Sequence, residues 1–242
     1  MVIDFITAFP NLFEGPMTQS IIGRARKNGW IELRMHDLRA FTDDPHRTVD
    51  DTPYGGGGGM VLKPEPIFRC VESILGIPPL DTNSHVRDFL PPETEIVAPA
   101  PHGPRFDQNS AVRLSLQKRL IFICGHYKGV DERVHDKLVT QFISVGDYVL
   151  TGGELAAMVI TDAVVRLIPG VISDARSALT DSFQEGLLDC ALYTRPEEFR
   201  GMRVPDVLLS GDHAKIDQWR QARRLELTRR LRPDLLDRHD ED

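Results

Sequence analysis

Three glycine-rich segments hold the residues of this 242-residue chain best suited to chemistry. The first, HRTVDDTPYGGGGGM, runs from His46 to Met60 and ends in the glycine run Gly55 to Gly59. Such a run cannot hold a helix or strand, because each glycine is costly to order. A flexible spacer is its ordinary reading, yet the cations, carboxylates and tyrosine before it exceed what a spacer needs. A phosphate cradle is the chemical alternative, but no Gly-Lys-Ser or Gly-Lys-Thr follows, which excludes a P-loop. The second segment, ICGHYKGVDERV, places Gly125 and Gly129 straight after an apolar run. Glycines there make either an ordinary strand-to-helix turn or a backbone that a ligand can approach closely. The third, VGDYVLTGGE, brackets Tyr148, Val149 and Leu150 with Gly146, Gly152 and Gly153. Two such loops at one sheet edge favour a backbone-lined pocket for an adenosine-type ligand. No GxGxxG is present, so a dinucleotide-binding fingerprint is unsupported.

The elements that must position these loops follow from periodicity. Val2 to Thr7, Glu95 to Ala98, Leu120 to Cys124 and Phe142 to Val145 read as strands, and Ile31 to His36 alternates as one. Helices are predicted over Asn11 to Asn28 with Gly29 as the stop, and over Pro64 to Leu75, Asp107 to Lys118 and Val130 to Val139. Another spans Glu154 to Ile168, where apolar residues at 155, 158, 159, 163, 167 and 168 lie near a 3.6 period. Thr42 to Gly59 is a long loop, and Gly76 to Pro92, with four of the 17 prolines, is another. Strand and helix alternate over the first 170 residues, which predicts an α/β layer on a mostly parallel sheet. After Val171 the character changes. A small, polar linker is expected over 173–180, with domains over 1–172 and 181–242, the second mainly helical and ending in a helix from Ala214 to Arg232.

Composition narrows the function classes. Hydrophobic residues make up 41% and charged residues 27%, ordinary for a globular protein that buries a core. Cys70, Cys124 and Cys190 lie far apart, and no Cys or His sits at a metal-ligand spacing, so a reducing compartment without a protein metal site is expected. Neither a signal peptide nor a membrane span is read, which places the protein in the cytoplasm. The net charge of -7 argues against nucleic acid, but charge is uneven. Lys215, Arg220, Arg223, Arg224, Arg229, Arg230 and Arg232 face only Asp217 and Glu226 in that stretch. It is either a solvated helix face or an RNA-binding one.

Taken together, HRTVDDTPYGGGGGM, GHYKGVDERV and GDYVLTGGE resemble the motifs of the bacterial tRNA (guanine-N(1)-)-methyltransferases, members of the SPOUT class. The resemblance continues through DAVVRLIPGV, LTDSFQEGLLDC, YTRPEEF and VPDVLLSGDHAKIDQWR, nearly to the end of the chain. It implies a SPOUT-type parallel sheet with a deep trefoil knot, a smaller helical C-terminal domain, and a homodimer with the active site between subunits. It implies S-adenosyl-L-methionine as cofactor, Mg²⁺ in the reaction, and a tRNA substrate with guanine at position 37. The cofactor pocket of the family falls on Ala98, Pro99, Ala100 and His102, on Gly125, Tyr127 and Lys128, and on Val145, Gly146, Asp147, Tyr148, Val149, Leu150, Gly152 and Gly153. Its catalytic aspartate and arginine fall on Asp181 and Arg166, and a tRNA-contacting region on Arg47, Asp50 and Asp51. The family commonly reads GRYEG where this chain has GHYKG, so His126 replaces an arginine and Lys128 an acid. By residue type alone, Asp181 also suits a helix N-cap or linker carboxylate, and Arg166 a helix C-terminus. The competing class is a non-catalytic, cofactor-sensing RNA-binding protein, for which Lys128 is the sequence support.

Overall fold

Apolar β-branched runs build the sheet, and its connections run through helices. In the computed structural model, which describes residues 1–172 and 181–237, the chain divides into two compact units, Met1–Ser173 and Asp174–Asp242. The first unit carries β1 (Val2–Thr7), β2 (Glu32–Asp37), β3 (Asp50–Asp51), β4 (Val61–Leu62), β5 (Thr94–Pro99), β6 (Arg119–Ile123) and β7 (Gln141–Ile143). Its helices are α1 (Ser20–Lys27), α2 (Pro64–Leu75), α3 (Gln108–Ser115), α4 (Glu132–Leu138) and α5 (Gly153–Val165). Five strands form one sheet in the order β2-β1-β6-β5-β7, every neighbouring pair parallel. β3 and β4 form a separate antiparallel ladder.

Both faces of this sheet are covered, as a parallel sheet requires. Ile3 and Phe5 of β1 and Leu120 and Phe122 of β6 pack with α1, α3 and α5 on one side. Ile6, Ile121 and Ile123 pack with α2 and α4 on the other. Asp4 is the exception in this apolar layer, fully buried in mid-strand. Burial pushes its carboxyl upward, but His36 Nε2 lies 2.7 Å from one oxygen and Arg119 Nε donates to the other at 2.8 Å. These partners prevail, and Asp4 is held below the usual carboxylate range.

Several expectations need correction. The helix read over Asn11 to Asn28 is broken: a 3-10 turn, Pro10–Phe13, precedes α1. Gly15 and Pro16 interrupt the run, and Thr18 Oγ1 donates to the Glu14 and Gly15 carbonyls instead of extending a helix. Of the periodic apolar positions read on α5, Met158 is buried and Ala163, Leu167 and Ile168 pack against the core, but two face outward. Leu155 and Val159 are 50% and 55% exposed, while Ala156, Ala157, Ile160, Val164 and Val165 are buried. The helix is apolar on nearly every side, so periodicity could not select the face. Gly76 to Pro92 is a loop, but an anchored one: Val86 is fully buried and Lys137 Nζ donates to the Thr82 carbonyl at 2.8 Å.

The second unit is less helical than expected. Residues 182–197 hold no helix, and Glu198–Phe199 pairs with Met202–Arg203 in a short antiparallel ladder. Helices follow at Asp206–Leu209, His213–Leu231 and Asp234–Asp237. Asp212 caps the long one, accepting from the Lys215 N–H at 3.2 Å. Arg224 turns inward, buried, with Nη1 donating to Glu185 at 2.7 Å. Thr228, also buried, accepts from the Leu188 N–H at 2.9 Å, tying the irregular segment to the helix. The segment read as a linker, 173–180, lies outside the described residues.

Candidate active site

The loops that leave β5, β6 and β7 are laced together at the carboxyl edge of the sheet. The Ser144 N–H donates to Pro104 at 2.9 Å, and the Phe106 N–H to Ser144 at 2.8 Å. The Gly153 N–H donates to Gly125 at 2.6 Å, and His126 bridges Gly152. These loops enclose a cleft of about 200 Å³. Pro99, Ala100, Gly125, Tyr127, Lys128, Val145, Gly146, Tyr148, Val149, Leu150, Gly152 and Gly153 line it, as the sequence places them.

Three expected pocket residues do not line it. Ala98 is buried in the core beneath, at the end of β5. His102 packs against Phe142, ring centroids 4.6 Å apart. Asp147 points outward to Arg105 at 3.1 Å. Ala98 belongs to β5 itself, and His102 and Asp147 sit in the cleft-forming loops with their side chains directed away. His126 and Gly129 line the cleft too, within the expected Gly125 to Gly129 stretch, and Ile143, Ser144 and Ala156 line it from outside the expected segments. Proximity in sequence to the chosen loops was their only signal.

Beneath the cleft lies a buried polar group. Glu154, in the first turn of α5, is 1% exposed and accepts from Thr7 Oγ1 at 2.7 Å. His126 Nδ1 lies 3.4 Å from its other oxygen. Both oxygens of this buried carboxyl thus have a polar neighbour. Gly152 is required by space: a Cβ there would press on both Glu154 Oε2 and His126 Nδ1.

The glycine run adjoins this edge. Met60 accepts from the Lys128 N–H at 2.9 Å, and the Leu62 N–H donates to Gly129 at 3.0 Å. Gly59 has φ +90°, and a Cβ there would lie 2.8 Å from Lys128 Cγ and 3.3 Å from its Cε. The lysine stem therefore lies along the glycine backbone. Of the residues matched to RNA contact, Arg47 is exposed, Asp50 and Asp51 form β3, and Asp51 lies 3.9 Å from Lys63. Arg166 caps α5 in the first unit, and Asp181, half-buried, opens the described part of the second.

A covered parallel sheet whose carboxyl-edge loops enclose a glycine-rich cleft defines a ligand-binding α/β domain. The family model described as tRNA (Guanine-1)-methyltransferase TrmD matches residues 1–238. The tRNA (guanine-N(1)-)-methyltransferase of Bacteroides fragilis is 51% identical over 237 residues, covering 98% of this chain and 100% of its own. That of Geobacter sulfurreducens is 50% identical over 236 residues, covering 98% and 91%. That of Anoxybacillus flavithermus is 49% identical over 240 residues, covering 99% and 93%. The chain belongs to the tRNA (Guanine-1)-methyltransferase TrmD family.

Proposed function

We propose that this chain transfers the methyl group of S-adenosyl-L-methionine to ring nitrogen 1 of guanine at tRNA position 37, giving 1-methylguanosine. The observation that carries this reading is family membership along nearly the whole chain. The cleft fits the cofactor: its laced loops present backbone groups, and Tyr148, Val149 and Leu150 offer an exposed apolar strip to an adenine ring. Once bound, the cofactor supplies a methyl group already activated by a positive sulfur. The chain's own work is alignment and proton handling. Guanine nitrogen 1 bears a proton and must lose it, leaving charge on the neighbouring oxygen. Asp181 takes that proton as general base, and Arg166 faces the oxygen with its fixed fork of donors. Among the described residues no cluster of three or more His, Cys, Asp or Glu could hold a metal, and no step is routed through Mg²⁺.

The wider arrangement follows the same reading. The lacing of the three loops supports a SPOUT-type trefoil knot in the first unit, and the basic helix His213–Leu231 supports tRNA binding by the second. Leu155 and Val159, exposed one turn apart on α5, support a homodimer through that face. Helical spacing sets Asp162 and Arg166 on the same stripe, so such a dimer has its active site between subunits. No helix of the described residues is long and apolar enough to cross a membrane, and a tRNA substrate is met in the cytoplasm.

The test is transfer of labelled methyl to two tRNA transcripts, one with guanine and one with adenine at position 37. Label in the first alone is expected, and label in both or neither overturns the assignment. Asp181→Asn should abolish transfer while tRNA still binds; full activity would remove Asp181 from the role of base.

A further inference from the structure

The cleft's electrostatics are one-sided. Among the described residues that line it, Lys128 alone bears a full charge, and no carboxylate joins it. No ion pair engages the Lys128 ammonium among the described residues. The side chain of this exposed residue runs along the glycine backbone. The backbone N–H is bonded to Met60, and the stem as far as Cε runs along Gly59, where no side chain intervenes. The result is a cation at the seam between the glycine run and the cleft.

The cofactor carries two cations, the sulfonium and the amino group, and one anion, the carboxylate of its methionyl tail. A lone lysine in the lining repels the first two and attracts the third. Resting on the cofactor reading above, we propose that Lys128 anchors the carboxylate of the methionyl tail and so sets which adenosyl ligands the cleft retains. The attraction turns the tail toward the glycine run and the adenosine toward the apolar strip of Tyr148, Val149 and Leu150. It also favours the demethylated product, S-adenosylhomocysteine, which keeps the carboxylate and loses the sulfonium charge.

The experiment compares two ligands by equilibrium binding to the full chain: S-adenosylhomocysteine, and 5′-methylthioadenosine, which lacks the amino-acid tail. Lys128→Met should weaken S-adenosylhomocysteine roughly tenfold, the scale of a hydrogen bond to a charged group, and leave methylthioadenosine within about twofold. Lys128→Arg, which keeps the charge, should hold both near the parent values. Equal loss of both ligands, or of neither, overturns the proposal. So does a Lys128→Met variant whose affinity falls for tRNA alone, which would assign the ammonium to a phosphate. Binding of neither ligand by the parent chain would remove the cofactor reading itself, and Lys128's role with it.

Discussion

Substituting Gly152 by alanine probes the floor of the cleft with one carbon atom. The added Cβ presses on Glu154 Oε2 and His126 Nδ1 together. Both partners are engaged. Glu154 is 1% exposed and held by Thr7 at 2.7 Å, and the His126 ring is packed by Phe9 and Tyr127, with centroids at 4.3 Å and 5.0 Å. Overpacking of this kind costs about 1–3 kcal/mol. Forcing His126 away also leaves the buried carboxylate one partner short, about 1–3 kcal/mol more. The two costs overlap, so Gly152→Ala should lose about 2–4 kcal/mol, a fall in Tm of roughly 4–16 °C for a unit of this size. Calorimetric unfolding measures the loss, and S-adenosylhomocysteine binding should weaken with it. Gly58→Ala is the control, since a Cβ there meets nothing within 4 Å. A Gly152→Ala variant with Tm and affinity both equal to those of the parent would refute the close packing of His126, Gly152 and Glu154 as the basis of the cleft.

Further expectations concern the core and the RNA face. Asp4→Asn removes one member of a buried charged group, a loss of about 3–5 kcal/mol at neutral pH by denaturant titration. Because the Asp4 carboxyl is held below its ordinary value, its contribution is complete above about pH 4 and lost as pH falls through the lowered value. The parent should therefore lose more stability on acidification below about pH 4 than Asp4→Asn does. In the second unit, Arg229→Ala and Arg230→Ala should each reduce the slope of log tRNA affinity against log salt by about 1. Arg224→Ala should leave that slope unchanged and lower Tm, because Arg224 is buried against Glu185 while the other two are exposed.

β1, β5, β6 and β7 were legible as short apolar runs and β2 by its alternation, whereas the two-residue strands β3, β4, Glu198–Phe199 and Met202–Arg203 are too short and polar to leave a periodic signal. The helix start at Asp107 was legible locally, since its carboxylate accepts from the Ser110 N–H just downstream; Asp131 caps the next helix in the same way but was not read as its start. What the sequence did not disclose was long-range or directional. Glu154 meets Thr7 across 147 residues of chain, a pairing that no local pattern encodes. Leu155 and Val159 belong to the same apolar periodicity as buried Met158 yet face outward, since an apolar residue carries no mark of which apolar surface it will meet. Arg224 looked like its basic neighbours and proved structural, because helical phase alone turns it inward.

α5 begins at the cleft, with Gly153 in its lining, and is capped thirteen residues later at Arg166. A continuous helix of that length spans about 20 Å without a hinge. It therefore works as a ruler with a fixed phase. Adding or removing one residue would shift the guanidinium by about 1.5 Å along the axis and swing it about 100° around it. If Arg166 acts on the substrate as proposed, substitutions on this helix leave that reach unchanged, whereas an insertion or deletion between the glycine pair and the arginine alters it. On that proposal, length rather than composition is the property of this helix that sets where the arginine stands.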